Sequence, residues 1–88
     1  MTNDDHNMTL GTFRQLGEIE QINVLFEKGV YLDTRFDTVC EILLYQIDSF
    51  YVEVFYQEKL NTIKRLRSFE NVDKLKSYLT KIDIDKLF

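Results

Sequence analysis

The apolar positions along the chain change their spacing twice, and the changes mark out the elements. From Glu18 to Lys28 the period is helical, with Ile19, Ile22 and Phe26 sharing one face. Glu18 and Glu20 suit the positive end of such a helix and Lys28 the negative end, and Gly29 stands where a left-handed C′ residue would close it. The preceding stretch Thr9–Gly17 is mixed. Thr12 and Gln15 have capping-box spacing and Phe13 and Leu16 offer contacts, but Gly17 interrupts any single helix running on to Phe26. After Gly29 the pattern alternates, so strands are predicted at about 30–35, 39–47 and 50–57, the last two joined by Asp48-Ser49 as an antiparallel hairpin. Residues 58–69 fit either a helix (Leu60, Ile63, Leu66) or an edge strand. The strand, at about 61–68, continues the meander and carries the Lys and Arg that guard open sheet edges. A C-terminal helix is predicted at about 72–82, opening at Asn71, with Asp73 in its first turn and Val72, Leu75, Leu79 and Ile82 on its apolar stripe. Residues 1–8 lack periodicity and are expected to be a disordered leader, leaving 9–88 as one α+β domain: helix, four-stranded antiparallel meander, helix.

The hairpin poses the main question. Phe50, Val52, Val54 and Tyr56 point to one face and Tyr51, Glu53, Phe55 and Gln57 to the other. An even loop adds Leu43, Tyr45 and Ile47 to the Phe50 set; an odd loop adds Cys40, Ile42 and Leu44 instead. The sequence leaves that parity open. In either case the second face is more apolar than a solvated sheet face should be, so something is expected to cover it. The candidates are the chain's own helices, a second copy, or another protein. On the latter two, Tyr51, Glu53 and Phe55 are the partner-interface residues.

Composition narrows the class. Of 88 residues 44% are hydrophobic and 30% charged, with twelve aromatics, no proline and no tryptophan, which excludes disordered, collagenous and disulfide-scaffold chains. A chain this short buries only ~60–65% of its unfolded surface, so aromatic packing or association has to supply stability. No stretch reaches the ~18 apolar residues of a membrane span, and residues 1–7 lack a signal-type apolar region. With its lone thiol, Cys40, the chain is expected in the reduced cytoplasm. The net charge of −4 is uneven: residues 1–57 hold three basic against ten acidic residues, whereas 58–88 hold eight against five. The halves are placed to pair within the fold or between copies.

Candidate chemistry is sparse, and no enzyme is expected. Cys40 has no base beside it, since His6, the one histidine, lies in the leader; it reads as an inert thiol in an apolar strand. Asp4, Asp5 and His6 are too loosely placed for a metal chelate. Glu41 and Glu53 share a face only if the loop is odd, and a bare glutamate pair is weak evidence for acid–base work. Glycines at 11, 17 and 29 form no phosphate-cradling motif, and no cofactor is implied. The remaining constellation is Lys59, Lys64, Arg65 and Arg67 beside the sheet aromatics, the arrangement by which some proteins stack single-stranded nucleic acid, set against an acidic chain. The sequence therefore predicts a small non-catalytic module for self-association, as a homodimer, or for contact with another protein, with single-stranded nucleic-acid binding as the alternative.

Overall fold

A computed structural model describes residues 7–76 and residue 78. Two helices, α1 (Leu10–Gln15) and α2 (Glu18–Lys28), precede four strands: β1 (Val30–Phe36), β2 (Glu41–Ile47), β3 (Phe50–Gln57) and β4 (Thr62–Phe69). The strands form one antiparallel sheet in the order β1-β2-β3-β4, so the edges are β1 and β4. Val72–Leu75 is a 3₁₀ turn, capped by the Asn71 side chain accepting from the Asp73 amide, and Lys76 and Tyr78 are helical. The rest of the helix expected at 72–82 and residues 1–6 of the expected leader lie outside the described residues.

The hairpin loop is even. Ile47 pairs with Phe50 across Asp48 and Ser49, and Asp48 takes a left-handed φ of 51° that its short polar side chain tolerates. That parity puts Leu43, Tyr45 and Ile47 on the face of Phe50, Val52 and Val54. α1 and α2 cover this face, where Phe13 and Leu25 complete the buried core. It also separates Glu41 from Glu53, which stand on opposite faces, and removes the carboxylate-pair reading.

Several local expectations are corrected. α1 is capped by Thr9, whose hydroxyl accepts from the Thr12 amide at 3.1 Å, rather than by Thr12 itself. Leader residue Met8 is tied down, its amide donating to Asp48 Oδ2 at 2.7 Å. α2 does start afresh at Glu18, but it turns Leu25 into the core and leaves Ile19 and Phe26 exposed. Gln21, beside Leu25 on the helix surface, explains the rotation: its Nε2 donates to the Phe13 carbonyl at 2.9 Å and locks α2 to the end of α1. Gly29 is not left-handed; its φ of −70° feeds straight into β1. Glycine is needed there for space, because a Cβ would sit 2.5 Å from the Leu25 carbonyl oxygen. β2 begins two residues later than expected, since Asp37 Oδ1 accepts from the amides of Val39 (2.9 Å) and Cys40 (2.8 Å) and folds them into the β1–β2 turn. Those same bonds hold the Asp37 carboxyl below the usual aspartate range. The ambiguous stretch 58–69 is a 3₁₀ turn (Glu58–Leu60) followed by β4.

Candidate functional site

On the second sheet face, register carries Gln46, Leu44 and Ile42 of β2 beside Tyr51, Glu53 and Phe55 of β3, and these beside Phe69, Arg67 and Arg65 of β4. This face is covered within the chain. Leu44, Phe69 and Tyr78 form a buried cluster with Tyr51 and Leu75 packed against it. Glu53 and Phe55, expected as partner-interface residues, are therefore buried at 0% and 7% exposure. Tyr51 is half-buried, its ring stacked on Phe69 with centroids 5.6 Å apart. Of the three covers considered for this face, the chain itself supplies one, through Leu75, Tyr78 and the Arg65 guanidinium over Phe55.

Glu53 is the electrostatic centre of that face. Its Oε2 accepts from Tyr78 Oη at 2.7 Å and from Arg35 Nη2 at 3.2 Å. Arg67 Nε lies 3.0 Å from Oε1 as an ion pair, though its N–H is not aimed along that line. Arg35 reaches Glu53 from β1 across β2, and its guanidinium also lies 5.5 Å from the Tyr78 ring centroid. One carboxylate thus joins three strands and the segment after β4. Burial and the Glu53 carboxylate together hold the Tyr78 phenol well above the usual tyrosine range. A folded pKa above the unfolded one gives a contribution to stability that is whole below about pH 10 and falls as pH rises through the folded value. Urea midpoints followed from about pH 8 to 11.5 should drop on the alkaline side, and Tyr78→Phe should flatten that drop. An unchanged alkaline slope in Tyr78→Phe would assign the loss elsewhere.

The structure divides the expected nucleic-acid set. Arg65 and Arg67 do share the face of Tyr51 and Phe55, but Arg65 lies over the Phe55 ring at 4.2 Å and Arg67 is paired with Glu53. Lys64 stands exposed at the β4 bulge and Lys59 in the turn before β4. The aromatic faces that would stack bases are in contact with the chain's own groups. An open cavity of about 350 Å³ lies at one end of the sheet, between Phe36–Glu41 and Gln57–Lys59, and includes half-buried Cys40.

The surface that sequence reasoning missed is β1 with the helix before it. Nine large apolar side chains are strongly exposed among the described residues, and seven fall between Ile19 and Val39. Phe36 is 71% exposed, Tyr31 53% and Leu32 43%, all on an edge strand. The signal was present: Val30 to Phe36 carries one aspartate and one arginine and no lysine, whereas β4 carries Lys64, Arg65 and Arg67. Comparison with protein families, curated proteins and solved structures finds no match for this chain. No helix among the described residues is long and apolar enough to cross a membrane.

Proposed function

We propose that this chain is a non-catalytic association module, a homodimer or a protein-interaction domain, whose contact surface is the β1 edge and the exposed apolar side chains next to it in sequence. The observation that carries the reading is the concentration of exposed apolar groups on one edge strand, where Val30, Tyr31, Leu32 and Phe36 all face water. An edge strand presents a row of N–H and C=O groups ready to pair, and apolar side chains beside it favour a protein partner over water. Glu53, the buried carboxylate among the described residues, is committed to Arg35, Arg67 and Tyr78. Light scattering coupled to size exclusion should give a mass near twice the 10.6 kDa of one chain. Phe36→Lys should return it to one chain's mass with unchanged circular dichroism, because position 36 is exposed in the single chain. A mass of one chain at every concentration removes the homodimer form of the proposal.

A further inference from the structure

Resting on that reading, we infer that the outward face of α2 receives a basic amphipathic helix of another protein. Its apolar side chains pack on Ile19, Ile22 and Phe26, and its lysines and arginines meet Glu20 and Glu27. At about 100° per residue, Gln21, Val24 and Leu25 turn toward the core and α1, and Ile19, Asn23 and Phe26 stand opposite them. A surface helix ordinarily carries its polar residues on that side. Here Ile19 is 76% exposed and Phe26 80%, with Ile22 half-buried beside them. A helix apolar on two opposite sides is suited to cover on both, and the core of this chain covers one. The charges select the occupant of the other. Glu20 and Glu27 stand along one flank of the stripe and Glu18 on the other, all three exposed. Glu20 is loosely engaged, its Oε1 accepting from the Gly17 amide at 3.4 Å. The one cation of α2, Lys28, lies on the core side and pairs with Asp48 at 3.9 Å. Arg14 and Arg35, the other two basic residues before residue 58, are held by Ser68 and Glu53. The bases of this half are thus engaged within the fold, and the exposed charge around the stripe is negative. A second copy laying its own α2 here would set carboxylates against carboxylates, and an anionic lipid surface is disfavoured on the same ground. A helix of apolar and basic residues suits both the stripe and its flanks, in the mode where apolar anchors recur at i, i+3 and i+7.

The probe is a peptide of about 18 residues, long enough to hold a helix, with Leu at helical spacing and Lys elsewhere. Titrated with the full chain, it should bind in the micromolar range, as small contacts do, and weaken as salt rises. Two control peptides, one with Glu in place of Lys and one with Ser in place of Leu, should not bind at the same concentrations. Phe26→Ser should weaken binding by about tenfold or more and leave the circular dichroism unchanged, because position 26 is exposed. Glu20→Lys with Glu27→Lys should reverse the preference, so that the Glu peptide binds and the Lys peptide does not. Equal binding of the Lys peptide to the chain and to Phe26→Ser, or equal binding of the peptide without Leu, overturns the proposal as charge attraction alone. A mass of two chains that Phe26→Ser returns to one assigns the face to a second copy and overturns it too. No peptide binding, with a mass of two chains that Phe36→Lys returns to one, overturns the basic partner and leaves the association reading standing. No peptide binding and a single mass at every concentration removes the basic partner and the homodimer together.

Discussion

Glu53→Ala should lower the free energy of unfolding by about 3 kcal/mol, at the low end of the ~3–5 kcal/mol typical of removing one partner from a buried ion pair. The carboxylate is fully enclosed, and its loss strips Arg35, Arg67 and Tyr78 of their shared acceptor. The low end applies because the arginine side chains keep 26% and 39% exposure and can turn part of their charge to water. In a domain of this size ~3 kcal/mol is a large part of total stability and corresponds to a fall in Tm of roughly 12–24 °C. Urea unfolding followed by circular dichroism measures it. Glu53→Gln should cost less, about 1–2 kcal/mol, because the amide oxygen still accepts from the phenol or one guanidinium. The quadruple change Glu53→Leu with Arg35→Met, Arg67→Met and Tyr78→Phe should recover most of the loss, since apolar replacement of the whole buried network avoids desolvating any charge and leaves no buried hydroxyl without an acceptor. A loss below about 1 kcal/mol in Glu53→Ala would mean that the arginines solvate fully and that Glu53 does not organise this face.

Glu53 also shows where sequence reasoning stops. Alternation in FYVEVFYQ places it correctly on the face of Tyr51 and Phe55, because side-chain direction in a strand depends only on parity. Whether that face meets water depends on residues far away: Arg35 eighteen positions before it, and Tyr78 twenty-five after it. A carboxylate between Val52 and Val54 with arginines on other strands was the available hint, but the strand order was needed to bring them together. The same contrast runs through the fold. Strand positions, the Asp48-Ser49 turn and the fresh start of α2 at Glu18 are local matters of spacing and turn chemistry, and they were legible. The facing of α2 was not. Its Ile19-Ile22-Phe26 stripe and its Gln21-Leu25 flank are adjacent on the cylinder, and the flank is the one that packs, with Leu25 and Val24 on the core and Gln21 bonded to α1. That choice put Phe26 in water next to β1 in sequence, and with it much of the candidate contact surface.

Phe50→Ala is the change expected to cost most, about 4 kcal/mol, as the transfer of a buried ring to water adds to the void it leaves. Phe50 is fully buried at the first position of β3, opposite Ile47, and its ring meets Phe13 with centroids 5.3 Å apart and planes tilted by 51°. The consequence reaches beyond the sheet, because α1 is six residues long and helices below ~12 residues do not persist without tertiary contacts. Phe13 is its one buried side chain; half-buried Leu10 packs beside it, Gln21 donates to the Phe13 carbonyl, and exposed Arg14 reaches Ser68, 2.7 Å to the carbonyl and 3.1 Å to the hydroxyl. Phe13→Ala should therefore cost about 3 kcal/mol and release α1, seen as a loss of helical signal before the main urea transition. Because the two rings share a contact, the double variant should lose less than the sum of the singles by about 0.5–1.5 kcal/mol. Strict additivity would mean that α1 docks through Arg14 and Gln21 instead. In that case Arg14→Ala, expected to cost under about 1 kcal/mol as an exposed contact, should be the variant that frees the helix.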